Sequence, residues 1–259
     1  MDHREQRIWM IQQLLREEEE YRACQIPQEE REQKNLLRAL MNVRPPRAVS
    51  GAFLEVQDAY LKAENESNGI VDAGALTPCA RDPRLFIWQG DITRLRIDGI
   101  VNAANSGMTG CYRPLHNCID NCIHTRSGIQ LRLICHEMMQ RQGHEEPTGQ
   151  AKITPAFNLP CRYVLHTVGP IVDGPLTRRH CEQLASCYRS CMETAAQNGL
   201  KSLAFCCIST GVFMFPQRKA AEIAVQTVRA ELDSQPGLEK VVFNVFNDSD
   251  RLIYEGLLG

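Results

Sequence analysis

Apolar positions in the first forty residues recur at helical spacing. Ile8, Ile11, Leu14 and Leu15 fall on one face, and Leu36, Leu37, Leu40 and Met41 repeat the pattern after a break at Pro27. The spacing predicts two helices within residues 5–42, with Pro45-Pro46 ending the second. A short amphipathic piece follows from Phe53 to Leu61, and Asn65 to Gly69 reads as a loop. The acidic run Glu17 to Glu20 fits a solvated face. These elements make an N-terminal helical extension over residues 1–73.

Past residue 73 the pattern changes to short apolar runs alternating with helical stretches. Strands are predicted at Leu85–Trp88, Gly99–Asn102, Lys152–Thr154, Tyr163–Val168, Leu203–Ile208 and Val241–Val245. Helical periodicity fits Ile129–Gln142, Cys181–Gln197 and Arg218–Leu232. Runs apolar on both faces, with helices between them, describe a mostly parallel sheet covered on both sides. The fold class is therefore α/β, a three-layer α/β/α unit over residues 74–259. Ligands in such sheets bind at the carboxyl ends of the strands, which directs attention to the loops after Asn102 and after Ile208.

Composition narrows the functions available. The formal net charge is -2 and the Lys and Arg residues are spread rather than massed, so the footprint of a nucleic-acid binder is missing. A phosphate-bearing ligand would have to be held by backbone groups. The charged start Met1-Asp2-His3-Arg4 leads into no long apolar segment, which argues against a membrane span and makes the cytoplasm the expected compartment. Twelve cysteines are then expected to be reduced thiols, most of them small hydrophobes in the core.

Two loops carry the candidate chemistry. Ser209-Thr210-Gly211-Val212-Phe213 follows a buried strand and precedes a helix, a layout in which successive N–H groups can cradle an anion without a lysine. The same residues also make ordinary turns. The earlier loop, from Gly107 to His124, holds Cys111, His116, Cys118, Cys122 and His124. This concentration suits a zinc site of thiolate and imidazole ligands, or a reduced cysteine-rich turn. If a metal is bound, three protein ligands leave a fourth tetrahedral position open, as catalytic zinc sites do.

From about residue 74 onward the chain resembles a macrodomain, the ADP-ribose-binding α/β/α module. The resemblance rests on Gly90-Asp91-Ile92-Thr93, on Gly99 to Ser106 with its Asn102-Ala103-Ala104-Asn105 core, and on Ile208 to Phe213, in that order. The stretch Gly110-Cys111-x-x-Pro114-x-His116-x-Cys118-Ile119-Asp120-Asn121-x-Ile123-His124 is more narrowly similar to the zinc-dependent macrodomain hydrolases of microbes. The resemblance implies a hydrolase that removes mono-ADP-ribose from modified proteins, with one Zn2+ held by Cys111, His116 and Cys118. It places Asp91 and Ile92 at the adenine, Ser209, Thr210 and Gly211 at the diphosphate, and Phe213 over the distal ribose. Asn105 would bind the distal ribose hydroxyls, Ile119 would line the ligand, and Asp120 would align a water beside the scissile bond. Cys122 and His124 are reserve ligands, and Met214 departs from the glycine common in macrodomains. Two other activities share this pocket: an ADP-ribose reader without catalysis, and a deacylase of O-acyl-ADP-ribose. Relatives of this kind imply a lipoyl carrier protein, modified by a sirtuin-like transferase, as the protein partner. The linked amino acid and the oligomeric state stay open.

Overall fold

The structure is a computed structural model that describes residues 1–234 and 237–259. Three helices come first: α1 (His3–Glu17), α2 (Glu30–Val43) and α3 (Gly51–Ser67). Asp2 and Glu5 close a capping box at the start of α1, and Ser50 caps α3, which satisfies N–H groups that the helices cannot. The three helices bury Met10, Ile11, Leu14, Leu37, Leu40, Phe53 and Tyr60 in a core of their own, to which α5 lends Ile129. Helix α3 runs on through Asn65, Glu66 and Ser67, so the loop expected at residues 65–69 begins later. Asn65 faces inward there and donates to the carbonyls of Arg126 and Asn158, which favours one more helical turn.

After α3 come the short strands β1 (Val71–Asp72) and β2 (Pro78–Cys79), then β3 (Asp82–Gln89), β4 (Leu95–Arg96) and β5 (Gly99–Ala104). Helices α4 (Ile119–Ser127) and α5 (Ile129–Gln142) lead to β6 (Ala151–Pro155) and β7 (Tyr163–Val168). The chain continues through α6 (Arg178–Gln197), β8 (Ser202–Phe205), α7 (Gln217–Ser234), β9 (Lys240–Val245) and α8 (Asp248–Leu258). Strands β1 and β4 pair apart from the main sheet, so chain before residue 74 already hydrogen-bonds to the sheet-bearing part.

The main sheet has seven strands in the order β2-β3-β9-β8-β5-β7-β6. Its five central strands run parallel and the two edges are antiparallel. Strands β5, β7 and β9 are buried almost throughout, as a sheet covered on both faces requires. Strand β8 leaves the ladder at Phe205, three residues earlier than the apolar run suggests. Cys206 and Ile208 stay apolar because they belong to the main core, with Cys207 packed against it. With β3, β9, β8 and β5 side by side and parallel, the loops after β3, β8 and β5 open on one edge of the sheet.

Candidate active site

The loop after β8 is built from backbone. Ser209 sits in the left-handed region at φ 66°, and the N–H groups of Gly211, Val212 and Phe213 find no acceptor among the described residues. Phe215 N–H closes the loop on Ser209 O, and Met214 also takes positive φ, at 55°. Three unpaired donors ahead of α7 are the groups from which an anion cradle can be built. The Ser209 hydroxyl is not in it: the side chain is buried against Gly169, where an added Cβ would meet Ser209 Oγ at 2.0 Å. Ser209 and Thr210 therefore shape the cradle, the Thr210 hydroxyl donating to Cys207 O at 3.0 Å. Phe213 is half-buried at the rim, its carbonyl accepting from Val172 N–H at 2.9 Å.

Asp91 follows β3 and opens the 3-10 turn Ile92–Arg94, its Oδ1 accepting from Thr93 N–H at 3.0 Å. Its Oδ2 lies 3.1 Å from Arg126, near the end of α4. Ile92 is buried beneath the turn and presents the turn's first N–H, which has no partner within it. Helix α4 thus reaches from the Asp91 end of the cleft to the loop after β5, where its first turn carries Asp120.

That first turn assembles the densest chemistry. Asn105, after β5, donates to Gly110 O at 3.1 Å and to Asp120 Oδ2 at 3.3 Å, and its own Oδ1 accepts from Gly107 N–H. Asp120 is 4% exposed, and burial pushes its carboxyl up to about 6, an effect that Asn102 opposes by donating to Oδ1 at 2.8 Å. Ile119, half-buried, packs on the main core one residue before it. The Asn102 amide also lies 3.1 Å from His166 Nδ1, and His166 Nε2 lies 2.9 Å from Thr154 Oγ1. Because an amide nitrogen only donates, His166 Nδ1 accepts and Nε2–H donates, which gives a chain from Thr154 to the Asp120 carboxylate.

Cys111, His116 and Cys118 converge, with one ligating atom from each lying within 4.8 Å of the others. Cys111 Sγ is 3.6 Å from His116 Nδ1, close to the roughly 3.5 Å that a tetrahedral zinc imposes on a sulfur and a nitrogen ligand. The donor set, two sulfurs and an imidazole that are all half-buried, fits such an ion. Burial pushes the Cys118 thiol up to about 12, so a thiolate there calls for a cation. Cys118 is also the N-cap of α4, its Sγ accepting from Asn121 N–H at 3.4 Å. Gly110, at φ 84°, lets the loop cross His124 where a Cβ would come within 2.8 Å of the ring.

The reserve ligands lie outside this trio. Cys122 faces Arg38 at 3.9 Å. His124 is buried in a second cluster with Cys135 and His166, whose ligating atoms also lie within 4.8 Å of one another. Burial pushes the Cys135 thiol up to about 12, and His166 already bridges Asn102 and Thr154. Under Asp120, His166 is therefore tied into hydrogen bonds, whereas both ring nitrogens of His124 are buried without a hydrogen-bond partner among the described residues. Burial, with His166 and Arg132 nearby, holds His124 neutral, so its 3.5 Å approach to Asp120 is not an ion pair. The residue-by-residue reading missed Asn102, Asn121, Thr154 and His166. A buried amide inside the apolar run of β5 was the one available signal for them.

A macrodomain is the class of protein that this sheet, cradle and cleft define, and the macro domain family model matches residues 101–224. A protein-ADP-ribose hydrolase of Treponema medium is 57% identical, with 100% of each chain covered. A protein-ADP-ribose hydrolase of Staphylococcus aureus (strain MSSA476) is 47% identical over 95% of this chain and 92% of its own. Among solved structures, the Trypanosoma brucei macrodomain in complex with ADP-ribose superposes with a TM-score of 0.66 at 29% identity, over 85% of this chain and 95% of its own. The chain belongs to the macrodomain family, and its full-length relatives are protein-ADP-ribose hydrolases.

Proposed function

We propose that this protein is a zinc-dependent hydrolase that removes mono-ADP-ribose from modified proteins. The observation that carries the reading is the convergence of Cys111, His116 and Cys118 beside Asn105 and Asp120, at the end of a cleft that also holds an anion cradle. The names of the full-length relatives support the same activity. Asp91 accepts from the adenine amino group and Ile92 donates from its backbone. The N–H groups of Gly211, Val212 and Phe213 hold the diphosphate, and Phe213 covers the distal ribose. Asn105 Oδ1, with a lone pair left beside its bond from Gly107 N–H, accepts from a ribose hydroxyl and orients the sugar.

Cys111, His116 and Cys118 would hold a zinc ion, which would supply Lewis acidity at this end of the site. The Asp120 carboxylate, held by Asn102 and Asn105, aligns a water on the anomeric carbon and stabilises the positive charge that grows as the glycosidic bond breaks. The Asn102–His166–Thr154 chain keeps that carboxylate from rotating. A reader needs only the adenine and diphosphate contacts; a buried carboxylate beside three metal-type ligands is a feature of catalysis.

Incubation of the purified chain with a mono-ADP-ribosylated protein tests the reading. Free ADP-ribose should be released, about one zinc per chain should be found, as a three-ligand site predicts, and a chelator should stop the release. A modification protected rather than removed would establish a reader, and unchanged turnover in metal-free enzyme would remove zinc from the mechanism. Turnover of O-acyl-ADP-ribose by the same preparation separates the deacylase activity.

A further inference from the structure

The helical extension carries no motif of its own, yet its second helix reaches the metal loop with polar groups. Arg38 Nη2 donates to His116 O at 2.7 Å and to Asn121 Oδ1 at 3.0 Å, while Arg38 Nη1 reaches Asn117 Oδ1 at 3.3 Å. Asn42, one turn further along the same face of α2, accepts from Leu115 N–H at 3.0 Å and donates to Thr125 Oγ1 at 3.0 Å. Leu115 sits at φ 57°, a left-handed conformation that an L side chain rarely adopts without being held there. It directly precedes the ligand His116. Asn121, which receives Arg38, passes the grip on by donating to Cys111 O at 3.3 Å and Arg113 O at 3.0 Å.

Helix α2 is itself fixed from the other side. Arg132 on α5 is 4% exposed; its Nη1 donates to the carbonyls of Met41, Asn42 and Arg44, and its Nε donates to Thr109 O at the start of the loop. The last carbonyls of α2 and the first turn of the metal loop therefore share one guanidinium. The apolar core of the extension lies elsewhere, around Met10 and Phe53. Packing alone does not require two polar contacts on the backbone at His116 and the residue before it.

We infer that Arg38 and Asn42 are positioning residues for the metal loop, so that the helical extension completes the site in which Cys111, His116 and Cys118 converge. The inference rests on the metal-site reading above. Partners outside the ligand set typically change metal affinity by about 10- to 100-fold when removed.

The test uses the full chain and zinc itself. Zinc affinity is measured by competition with a chromophoric chelator for wild type, Arg38→Ala, Asn42→Ala, Arg38→Lys and Leu14→Ala, with melting curves for each. Leu14 is buried in the core of the extension and touches no loop residue named above, so Leu14→Ala reports general loosening of the helices. The expected result is zinc binding weakened roughly tenfold or more in the two Ala variants. Arg38→Lys should recover part of the loss, since lysine keeps the charge and reach but not the fork. Leu14→Ala should retain wild-type affinity below its melting temperature, and ADP-ribose binding should change little in all. Folded Arg38→Ala and Asn42→Ala proteins that hold zinc as tightly as wild type overturn this inference alone, as does an equal loss in Leu14→Ala. A wild-type chain that binds no zinc overturns the metal reading together with it.

Discussion

Asp120 and Asn105 illustrate how single side chains divide the work of the site. Asp120 is buried and held on both oxygens by amides, so its geometry is fixed before any ligand arrives. Replacing Asp120 with Asn keeps the shape and the bond from Asn102 while removing the charge. The variant is expected to lose about 100-fold or more in kcat, the scale for a group that aligns the attacking water and stabilises the developing charge, and to bind ADP-ribose within a few-fold of wild type. Single-turnover release and calorimetry check the two halves, and an active Asp120→Asn enzyme would exclude the carboxylate from the chemistry. Ser209 shows the opposite kind of residue. Its hydroxyl was a natural partner for a phosphate on sequence grounds, but the left-handed backbone at 66° turns the side chain onto Gly169 and leaves the donors to the main chain.

At the scale of elements, α4 joins structure to chemistry because its N-cap is also a metal-type ligand. Cys118 Sγ accepts from Asn121 N–H, the bond that a serine hydroxyl makes well at the same position. Cys118→Ser is therefore expected to melt within about 1 kcal/mol of metal-free wild type, since the cap is kept, and to lose zinc and turnover. Calorimetric melting and metal analysis together check this, and an unfolded Cys118→Ser would make the loop a structural staple. The helix that carries this cap was hidden in the sequence. Its residues Ile119 to Ser127 lack a clean apolar stripe because Asp120, Asn121, His124 and Ser127 all point inward, toward ligands and hydrogen bonds rather than toward core. The helices α6 and α7 were legible because the buried face of each is almost wholly apolar, and α1 and α5 because apolar residues dominate theirs around a single buried arginine, Arg7 and Arg132. The strands β5, β7 and β9 were legible because both of theirs are.

The whole molecule couples its stability to the buried polar groups under Asp120. Burial pushes His166 down to about 4 from an ordinary 6.5 and lowers His124 well below that range. The unfolded chain therefore binds protons below pH 6.5 that the folded chain refuses. Stability is full above pH 6.5 and falls as the pH drops toward 4, by about 3 kcal/mol for His166 alone. Asp120, raised to about 6, runs the other way: its carboxylic acid favours the fold, and that contribution is lost as the pH rises through 6. Two histidines outweigh one carboxyl, so the metal-free protein should show a lower urea midpoint at pH 4.5 than at pH 7. The His166→Gln variant should show a flatter dependence, and an unchanged slope would mean that His166 does not titrate in this window.

The sequence by itself determined the layers of the fold and pointed to the loops that carry the candidate chemistry. Period and burial pattern follow directly from residue order, and the Cys111–Asp120 and Ser209–Phe213 stretches keep their chemistry within a few positions. Only the tertiary structure decided which atoms do the holding. The cradle is made of main-chain N–H groups, which every residue type carries alike. The partners of the loop that carries Cys111, His116 and Cys118, Arg38 and Asn42, lie more than 70 positions away on a helix whose own pattern describes nothing but packing. Contacts between distant backbone carbonyls and side-chain donors depend on how two cores sit against each other, and that relation leaves no period in the chain.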